Sequence, residues 1–201
     1  AHQLKTPLAG LRMQADMAQR ETRSEEIHRS LQLISRSSIR ATHTVNQLLA
    51  LARAETTGRT LPTATIDLAR IVTEAVHDSF PRAMEKRIDL GYDGPTEVPP
   101  ECLMDGNPTL LSELVRNLVD NAINYTPSGG VVTARVLVDP FSGVQILQVE
   151  DTGIGIPENE RELVLQPFYR ALGTNVDGSG LGLAIVHEIA QQHGAELKME
   201  D

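Results

Sequence analysis

The chain has 201 residues, of which 40% are hydrophobic and 22% charged, so its composition predicts an ordinary soluble globular protein. Its net charge of −9 disfavours binding to nucleic acid, and we expect no nucleic-acid partner. The single cysteine, Cys102, excludes an internal disulfide and a zinc site built from cysteines. Because no apolar run reaches the roughly 18 residues of a membrane span, we expect no membrane contact by this chain.

The first quarter of the chain has the apolar spacing of two consecutive helices. Residues 1–20 repeat leucine and alanine every three or four positions, although Pro7 would kink a helix interior. After a turn at 21–25, a second helix is predicted to about residue 54, with a heptad seam formed by Leu31, Ile34, Ser38, Ala41, Val45, Leu48 and Ala52. A hairpin cannot bury this seam alone, so residues 1–54 predict a homodimerisation domain that forms a four-helix bundle. The pattern starts abruptly at residue 1, from which we expect a piece of a longer protein.

A change of pattern after residue 54 predicts a second domain. Residues 55–66 lose all periodicity and contain Gly58 and Pro62, which indicates a linker. From 67 to 201, apolar runs of strand length alternate with amphipathic helices, so we expect a mixed α/β domain. The predicted strands are 66–68, 87–92, 101–104, 131–138, 144–149 and 195–199, and the predicted helices are 68–80, stopped by Pro81, 109–124 and 181–192.

One predicted helix carries an unusual stripe of amides. Asn117, Asn121 and Asn124 follow one another at helical spacing in residues 109–124, so they share one face. Asparagine is a poor helix former, so three asparagines on one helix face are unexpected unless they have a role there. An amide oxygen could ligate Mg²⁺, a hard cation that accepts oxygen donors alongside phosphates. The alternative is a solvated polar face that ends in a capping Asn124.

Two glycine clusters follow the predicted strand at 144–149. Asp151 precedes the turn with Gly153 and Gly155, and a second cluster at 178–182 opens the helix at 181–192. A helix start offers free N–H groups to an anion, and glycines let the backbone come close to a ligand. Together they predict a nucleotide site with a lid between them, although either cluster alone could be only a turn or a flexible helix entry. Neither the GxxxxGK phosphate loop nor the strand-borne dinucleotide fingerprint is present.

Five segments together resemble the sensor histidine kinases of two-component systems, which share an ATPase superfamily with gyrase. NLVDNAINYTP is similar to their N box, DTGIGIP to the G1 box, PFYR to the F box and GSGLGLAIV to the G2 box. AHQLKTPLAGL is similar to the H box, and its sequence resembles the form found in a subgroup that includes tricarboxylate sensors. The resemblance covers the whole chain and implies an α/β-sandwich ATP-binding domain at 67–201, after the phosphoacceptor hairpin, with the closing C-terminal strands of relatives missing.

The resemblance implies a phosphoryl-transfer role for residues of the first motif. His2 would be the phosphoacceptor, and Thr6 would orient the water that removes phosphate from a partner response regulator. Gln3 stands where most of the family has an acid. An amide can still orient the imidazole but adds no negative charge, so we expect slower autophosphorylation and a gain on Gln3→Glu.

The resemblance also assigns the nucleotide-binding residues. Asn121 would hold Mg²⁺, with Asn117 and Asn124 near the phosphates, although the family often has lysine or arginine where Asn124 stands. At the base, Asp151 would accept the adenine amino group, Tyr125 would pack on the ring, and Gly153 and Gly155 would shape the pocket. Phe168 would anchor the lid, and Arg170 would reach the γ-phosphate. The phosphates would be framed by Gly178, Gly180, Leu181 and Gly182.

The implied function is ATP-dependent phosphorylation of His2, followed by transfer to an aspartate of a response-regulator receiver domain. Dephosphorylation of the regulator through Thr6 would be a second activity. We expect this piece to lie in the cytoplasm, as the core of a sensor anchored in a bacterial inner membrane. The main alternative is a dimeric scaffold that binds ATP with weak or no kinase activity, for which Gln3 is the support. A serine kinase or ATPase on the same nucleotide fold is the other alternative, and the helical hairpin with His2 argues against it.

Overall fold

The computed structural model describes residues 63–95, 103–139, 141–170 and 179–200, and seven single positions between residues 13 and 45. The chain divides into two compact units, residues 1–49 and 50–201. In the first unit every described residue is helical, as predicted for the two segments that contain them: Met13, Ala15, Ile27, Leu31, Ile34, Ser38 and Val45. None of the helices in the described part of the chain is long and apolar enough to cross a membrane.

The second unit is a mixed α/β structure with three helices and two small sheets among its described residues. Its strands are β1 (Ala64–Ile66), β2 (Asp89–Asp93), β3 (Met104–Gly106), β4 (Val131–Val138) and β5 (Gln145–Asp151). Its helices are α1 (Leu68–Lys86), α2 (Pro108–Tyr125) and α3 (Gly182–Gln192), and two single 3₁₀ turns lie at Glu158–Glu160 and Leu163–Leu165.

The larger sheet has β4 in its centre. β2 runs parallel to β4, with Leu90 opposite Val132, and β5 runs antiparallel to it, with Val149 opposite Ala134. β1 and β3 form a separate antiparallel pair. The parallel pairing of β2 and β4 requires a crossover, which α2 provides.

The core lies between one face of the larger sheet and the helices. Along β4, alternate residues Val132, Ala134 and Val136 are buried, as expected for a strand with one face inward. Helices α1 and α2 pack on the sheet, and α2 also contacts α3. The core is aliphatic, in keeping with the absence of tryptophan, and its largest fully buried side chains include Ile123, Leu181, Ile185, Ile189, Val72, Val115 and Val119.

Helix α1 is longer than predicted. The expected stop at Pro81 is wrong, because α1 continues through the proline to Lys86. A proline inside a helix costs about 3 kcal/mol. Here the buried stripe resumes beyond it at Ala83, so packing on both sides of the proline holds the helix together. The helix ends at Arg87, whose φ of 58° is left-handed and whose N–H bonds to the carbonyl of Ala83.

Five of the six strand predictions also differ from the structure. The strand predicted at 87–92 lies at Asp89–Asp93, and the one predicted at 101–104 lies at Met104–Gly106. The strand predicted at 66–68 lies at Ala64–Ile66, because Asp67 caps α1 by accepting a hydrogen bond from the Arg70 N–H at 3.1 Å. β5 continues two residues beyond its predicted end, to Asp151. The strand predicted at 195–199 is wrong. Residues 195–200 have no regular structure, since no strand of the described chain forms a ladder with them.

Candidate functional site

Helix α2 is fixed at its start by its own sequence. The Asn107 side chain caps it by accepting a hydrogen bond from the Leu110 N–H at 3.0 Å, and Pro108 fits the first helical position, where no N–H is needed. Its apolar stripe is buried at Leu110, Leu111, Leu114, Val115, Val119, Ala122 and Ile123. Burial of this stripe sets the rotation of α2, and therefore where its asparagines point.

Two of the three asparagines lie against the start of α3. A Cβ atom at position 182 would lie 3.1 Å from both amide atoms of Asn121 and 3.4 Å from Oδ1 of Asn117. Asn117 is only 4% exposed, and its Nδ2 donates to the Glu113 carbonyl at 2.8 Å. Gly182 therefore lets the backbone at the start of α3 approach the two amides closely.

The start of α3 has the features of an anion site. Its N-cap residue is Leu181, which has no side-chain acceptor for the first N–H groups of the helix. The Leu181 N–H itself donates to the hydroxyl of Ser179 at 3.2 Å. The positive end of the α3 dipole and the amides of Asn117 and Asn121 thus face the same space, and a phosphate with a divalent cation fits this combination.

The third asparagine has a different partner. The Asn124 side-chain oxygen accepts a hydrogen bond from Nη2 of Arg82 at 2.9 Å, and Nη1 of the same guanidinium pairs with Asp120. One turn further along α1, the Lys86 ammonium donates to the carbonyls of Ile123 at 2.7 Å and Asn124 at 2.5 Å. The predicted stripe of three amides therefore meets α3 at two positions and α1 at the third.

The first glycine turn brings Asp151 next to the end of α2. A Cβ atom at Gly153 would lie 2.9 Å from the Tyr125 carbonyl oxygen and 2.5 Å from Oδ1 of Asp151. The same carboxylate oxygen accepts a hydrogen bond from the Gly153 N–H at 2.8 Å, and Asp151 is exposed. Gly155, with a φ of 68°, takes the left-handed conformation that favours glycine. Tyr125, Asp151 and Gly153 are thus neighbours in the structure.

The second glycine cluster is joined to the segment around Phe168. The Phe168 N–H donates to the Gly180 carbonyl at 2.7 Å, and a Cβ atom at Gly180 would lie 2.8 Å from the Tyr169 carbonyl oxygen. Phe168 and Gly180 both have a φ of 70°. Burial, and then the negative charge of Glu160, raise the pKa of the Tyr169 phenol, so it stays neutral. Arg170 follows and is exposed.

Four predicted site residues lie outside the described residues: His2, Gln3, Thr6 and Gly178. Within the part of the chain that the structure describes, no three His, Cys, Asp or Glu side chains form a group that could hold a metal ion. A divalent cation here would therefore depend on amide and phosphate oxygens, which is the donor set that Mg²⁺ accepts.

Sequence reasoning missed two residues that join distant segments, His193 and Arg82. Nε2 of His193, just after α3, accepts a hydrogen bond from the Asn107 N–H at 3.1 Å, while Nδ1 contacts the Ile189 carbonyl at 2.8 Å. These two bonds require a neutral ring with its proton on Nδ1. Neither His193 nor Arg82 belongs to a motif, and their roles appear only when distant segments come together.

Comparison with known protein families divides the chain into two matched parts. Residues 1–57 match the His Kinase A (phospho-acceptor) domain, and residues 106–201 match the histidine kinase-, DNA gyrase B- and HSP90-like ATPase domain. The sensor protein QseC of Escherichia coli is 35% identical over 199 residues, which are 98% of this chain and 42% of QseC. The kinase/phosphatase MprB of a Mycobacterium species is 35% identical over 210 residues, covering all of this chain and 38% of MprB. The chain thus spans about two fifths of the length of these relatives.

Solved structures agree with these matches. A mycobacterial sensor histidine kinase MprB superposes with a TM-score of 0.56 and 30% identity, over 66% of this chain and 81% of that one. The histidine kinase ThkA, solved in complex with the response regulator protein TrrA, has the same fold, with a TM-score of 0.72 and 19% identity over 97% of this chain and 53% of that one. With a phospho-acceptor domain followed by an ATPase domain, this chain belongs to the sensor histidine kinase family.

Proposed function

We propose that this chain is the catalytic core of a sensor histidine kinase, which binds ATP between α2 and the start of α3 and phosphorylates His2. The observation that carries the proposal is the close approach of Gly182 to the amides of Asn117 and Asn121. Those three residues belong to two separate motifs and meet at the first residue of α3. The family membership supports the reaction, and this contact supports the proposed position of the phosphates.

The adenine and phosphate ends of ATP would be held by different residues. Asp151 would accept the adenine amino group, Tyr125 would cover the ring, and Gly153 and Gly155 would shape the turn. At the phosphates, N–H groups of the stretch with Gly178, Gly180, Leu181 and Gly182 would donate, with Asn124 nearby. Phe168 would anchor the segment that covers the nucleotide, through its bond to Gly180, and Arg170 would reach the γ-phosphate.

Asn121 would provide the protein oxygen for Mg²⁺, which when bound neutralises phosphate charge. In the transfer itself, a neutral nitrogen of the His2 ring attacks the γ-phosphorus, a P–N bond forms and the bond to the ADP oxygen breaks. The imidazole can be neutral at cell pH because its ordinary pKa is about 6.5. Gln3 would orient the ring, and the proton of the attacking ring leaves to solvent.

The helical unit would supply the dimer and the contact with the regulator. Leu31 and Val45, two heptads apart on the predicted seam, are exposed in the single chain, which favours burial against a second copy. Phosphate would pass from His2 to an aspartate of a receiver domain, and Thr6 would take part in its later removal. A location in the cytoplasm, as part of a membrane-anchored sensor, remains a prediction.

Phosphate mapping tests the proposal. The chain is incubated with Mg²⁺ and γ-labelled ATP, and the label is tested for stability in acid and base. We expect acid-labile, base-stable label on His2 that is lost in His2→Ala, while the matched substitution His28→Ala, in the second predicted helix, keeps it.

The other outcomes separate the alternatives. Tight ATP binding without label would contradict kinase activity and favour the scaffold, which Gln3 would then explain. Acid-stable label on serine or threonine would contradict the histidine kinase reaction and favour the serine kinase alternative.

A further inference from the structure

We propose that Arg82, on α1, supplies positive charge to the phosphates of ATP at the Asn124 end of α2. The inference rests on the proposed ATP site and adds a residue from a helix that carries none of the five motifs. Its guanidinium bridges two positions of α2, with Nη1 on Asp120 and Nη2 on the Asn124 oxygen. Asn124 follows Asn121 by three residues, which is about 4.5 Å along the helix axis. Asn124, the partner of Arg82, therefore lies within one helical turn of Asn121, whose amide is next to Gly182.

The guanidinium has donors left for a ligand. Arginine carries five N–H groups in a rigid fork, and among the described residues two contacts of Arg82 are with Asp120 and Asn124. Its side chain is 44% exposed, whereas that of Asp120 is 17% exposed. The Asp120 carboxylate thus holds Nη1 of the guanidinium on its buried side, and the other side of the guanidinium faces solvent.

A cavity opens beside this fork. It has a volume of about 280 Å³ and is lined by Arg82, Glu85, Lys86, Ile123 and Asn124. Two of these five side chains are cations and one is an anion, so the lining favours a negatively charged group. A phosphate fits such a volume, and a planar guanidinium pairs with phosphate oxygens through two parallel bonds.

The two cations have different roles. Lys86 holds the end of α2, and Arg82 is the residue that we expect to contact the phosphates. The Lys86 ammonium is already held by the carbonyls of Ile123 and Asn124 at the end of α2. Burial first, and the charge of Arg82 second, lower the pKa of Lys86, so the two cations repel each other. An anion bound between them would reduce that repulsion. The repulsion therefore favours the binding of a phosphate at this position.

Nucleotide binding by the full 201-residue chain tests this inference, with ATP and adenosine compared by calorimetry in the presence of Mg²⁺. We expect Arg82→Gln to weaken ATP binding by about tenfold, the size of one lost charge-assisted bond, and to leave adenosine binding unchanged. Arg70→Gln is the matched control, because Arg70 is an exposed cation on the same helix that pairs with Glu74. A lysine placed directly on α2, by Asn124→Lys in the Arg82→Gln background, should restore most of the ATP affinity.

Each other result has a distinct meaning. Unchanged ATP affinity in Arg82→Gln, or equal losses for ATP and adenosine, would overturn the inference but would not contradict the proposed ATP site. Failure of Asn124→Lys to restore binding would also contradict it, because the lost property would then be the packing of α1 and not charge. Failure of the unsubstituted chain to bind ATP would overturn the proposed function, and the inference with it.

Discussion

The two ends of the α2–α3 pair are built on opposite principles. Asn107 and His193 join the start of α2 to the end of α3 by a hydrogen bond of 3.1 Å, and Asn107 is buried. At the opposite end, where α3 begins beside the second half of α2, a Cβ atom at Gly182 would lie 3.1 Å from the amide of Asn121 and 3.4 Å from that of Asn117. We call these the clamped end and the open end. The two contacts show that the helices run antiparallel.

The clamped end stabilises the pair of helices, whereas the open end is built for ligand binding. At the clamped end, side chains satisfy backbone groups that would otherwise be buried without partners, which is how a fold is held. At the open end, glycines remove side chains and Leu181 leaves the first N–H groups of α3 without a cap. Such an arrangement costs stability and makes room for a ligand. Substitutions at the two ends should accordingly affect different measurements.

The largest effect is expected at the open end, from Gly180→Ala. A Cβ atom there would lie 2.8 Å from backbone atoms of Phe168 and Tyr169, and the φ of 70° is strained for any residue with a side chain. Such strain alone costs about 1–3 kcal/mol, and the backbone contact adds to it. We expect roughly a tenfold or greater loss of ATP affinity, measured by calorimetry.

Gly143→Ala is the control for that substitution. Gly143 also has a φ of 70°, but a Cβ atom at that position has no neighbour within 4 Å, so only the conformational strain is added. ATP affinity should be unchanged in this variant. Equal losses in the two variants would show that the contact between Gly180 and Phe168 has no part in nucleotide binding.

A smaller effect is expected at the clamped end, from His193→Phe. Phenylalanine keeps the ring but cannot accept the hydrogen bond from the Asn107 N–H, and a buried donor left without a partner costs about 1–3 kcal/mol. Chemical denaturation should show that loss in the free energy of unfolding. His77→Phe, at an exposed position on α1, should change it little. A similar loss in both variants would mean that the His193 bond carries no special stability.

Local sequence signals located most of the second unit. α2 and α3 lie within one residue of their predicted bounds, because caps and apolar spacing mark them in the chain itself. The resemblance assigned Gly182, Asn117 and Asn121 to the phosphate end of the nucleotide, and the structure brings these three residues together. The roles proposed for these residues remain predictions.

The misses share one physical cause, which is dependence on partners distant in sequence. Asn124 was grouped with two other amides, yet its partner Arg82 is 42 residues away. Pro81 was taken as a helix stop, yet burial on both of its sides carries α1 past it to Lys86. The segment at 195–199 has strand-like composition, but a strand also needs a ladder partner, which composition does not show.

The most direct test of the contrast uses two substitutions of the same type on the same helix, Asn121→Ala and Asn107→Ala. Thermal unfolding is recorded with and without Mg²⁺ and ATP. Asn121→Ala should keep the melting temperature of the free protein and lose most of the increase that ATP produces, because alanine is the better helix former and only the ligand contact is removed. Asn107→Ala should lower the melting temperature by about 2–4 °C for each kcal/mol of lost capping, and keep the increase with ATP. The reverse pattern, with the ATP effect lost in Asn107→Ala and retained in Asn121→Ala, would contradict the assignment of the open end as the nucleotide site.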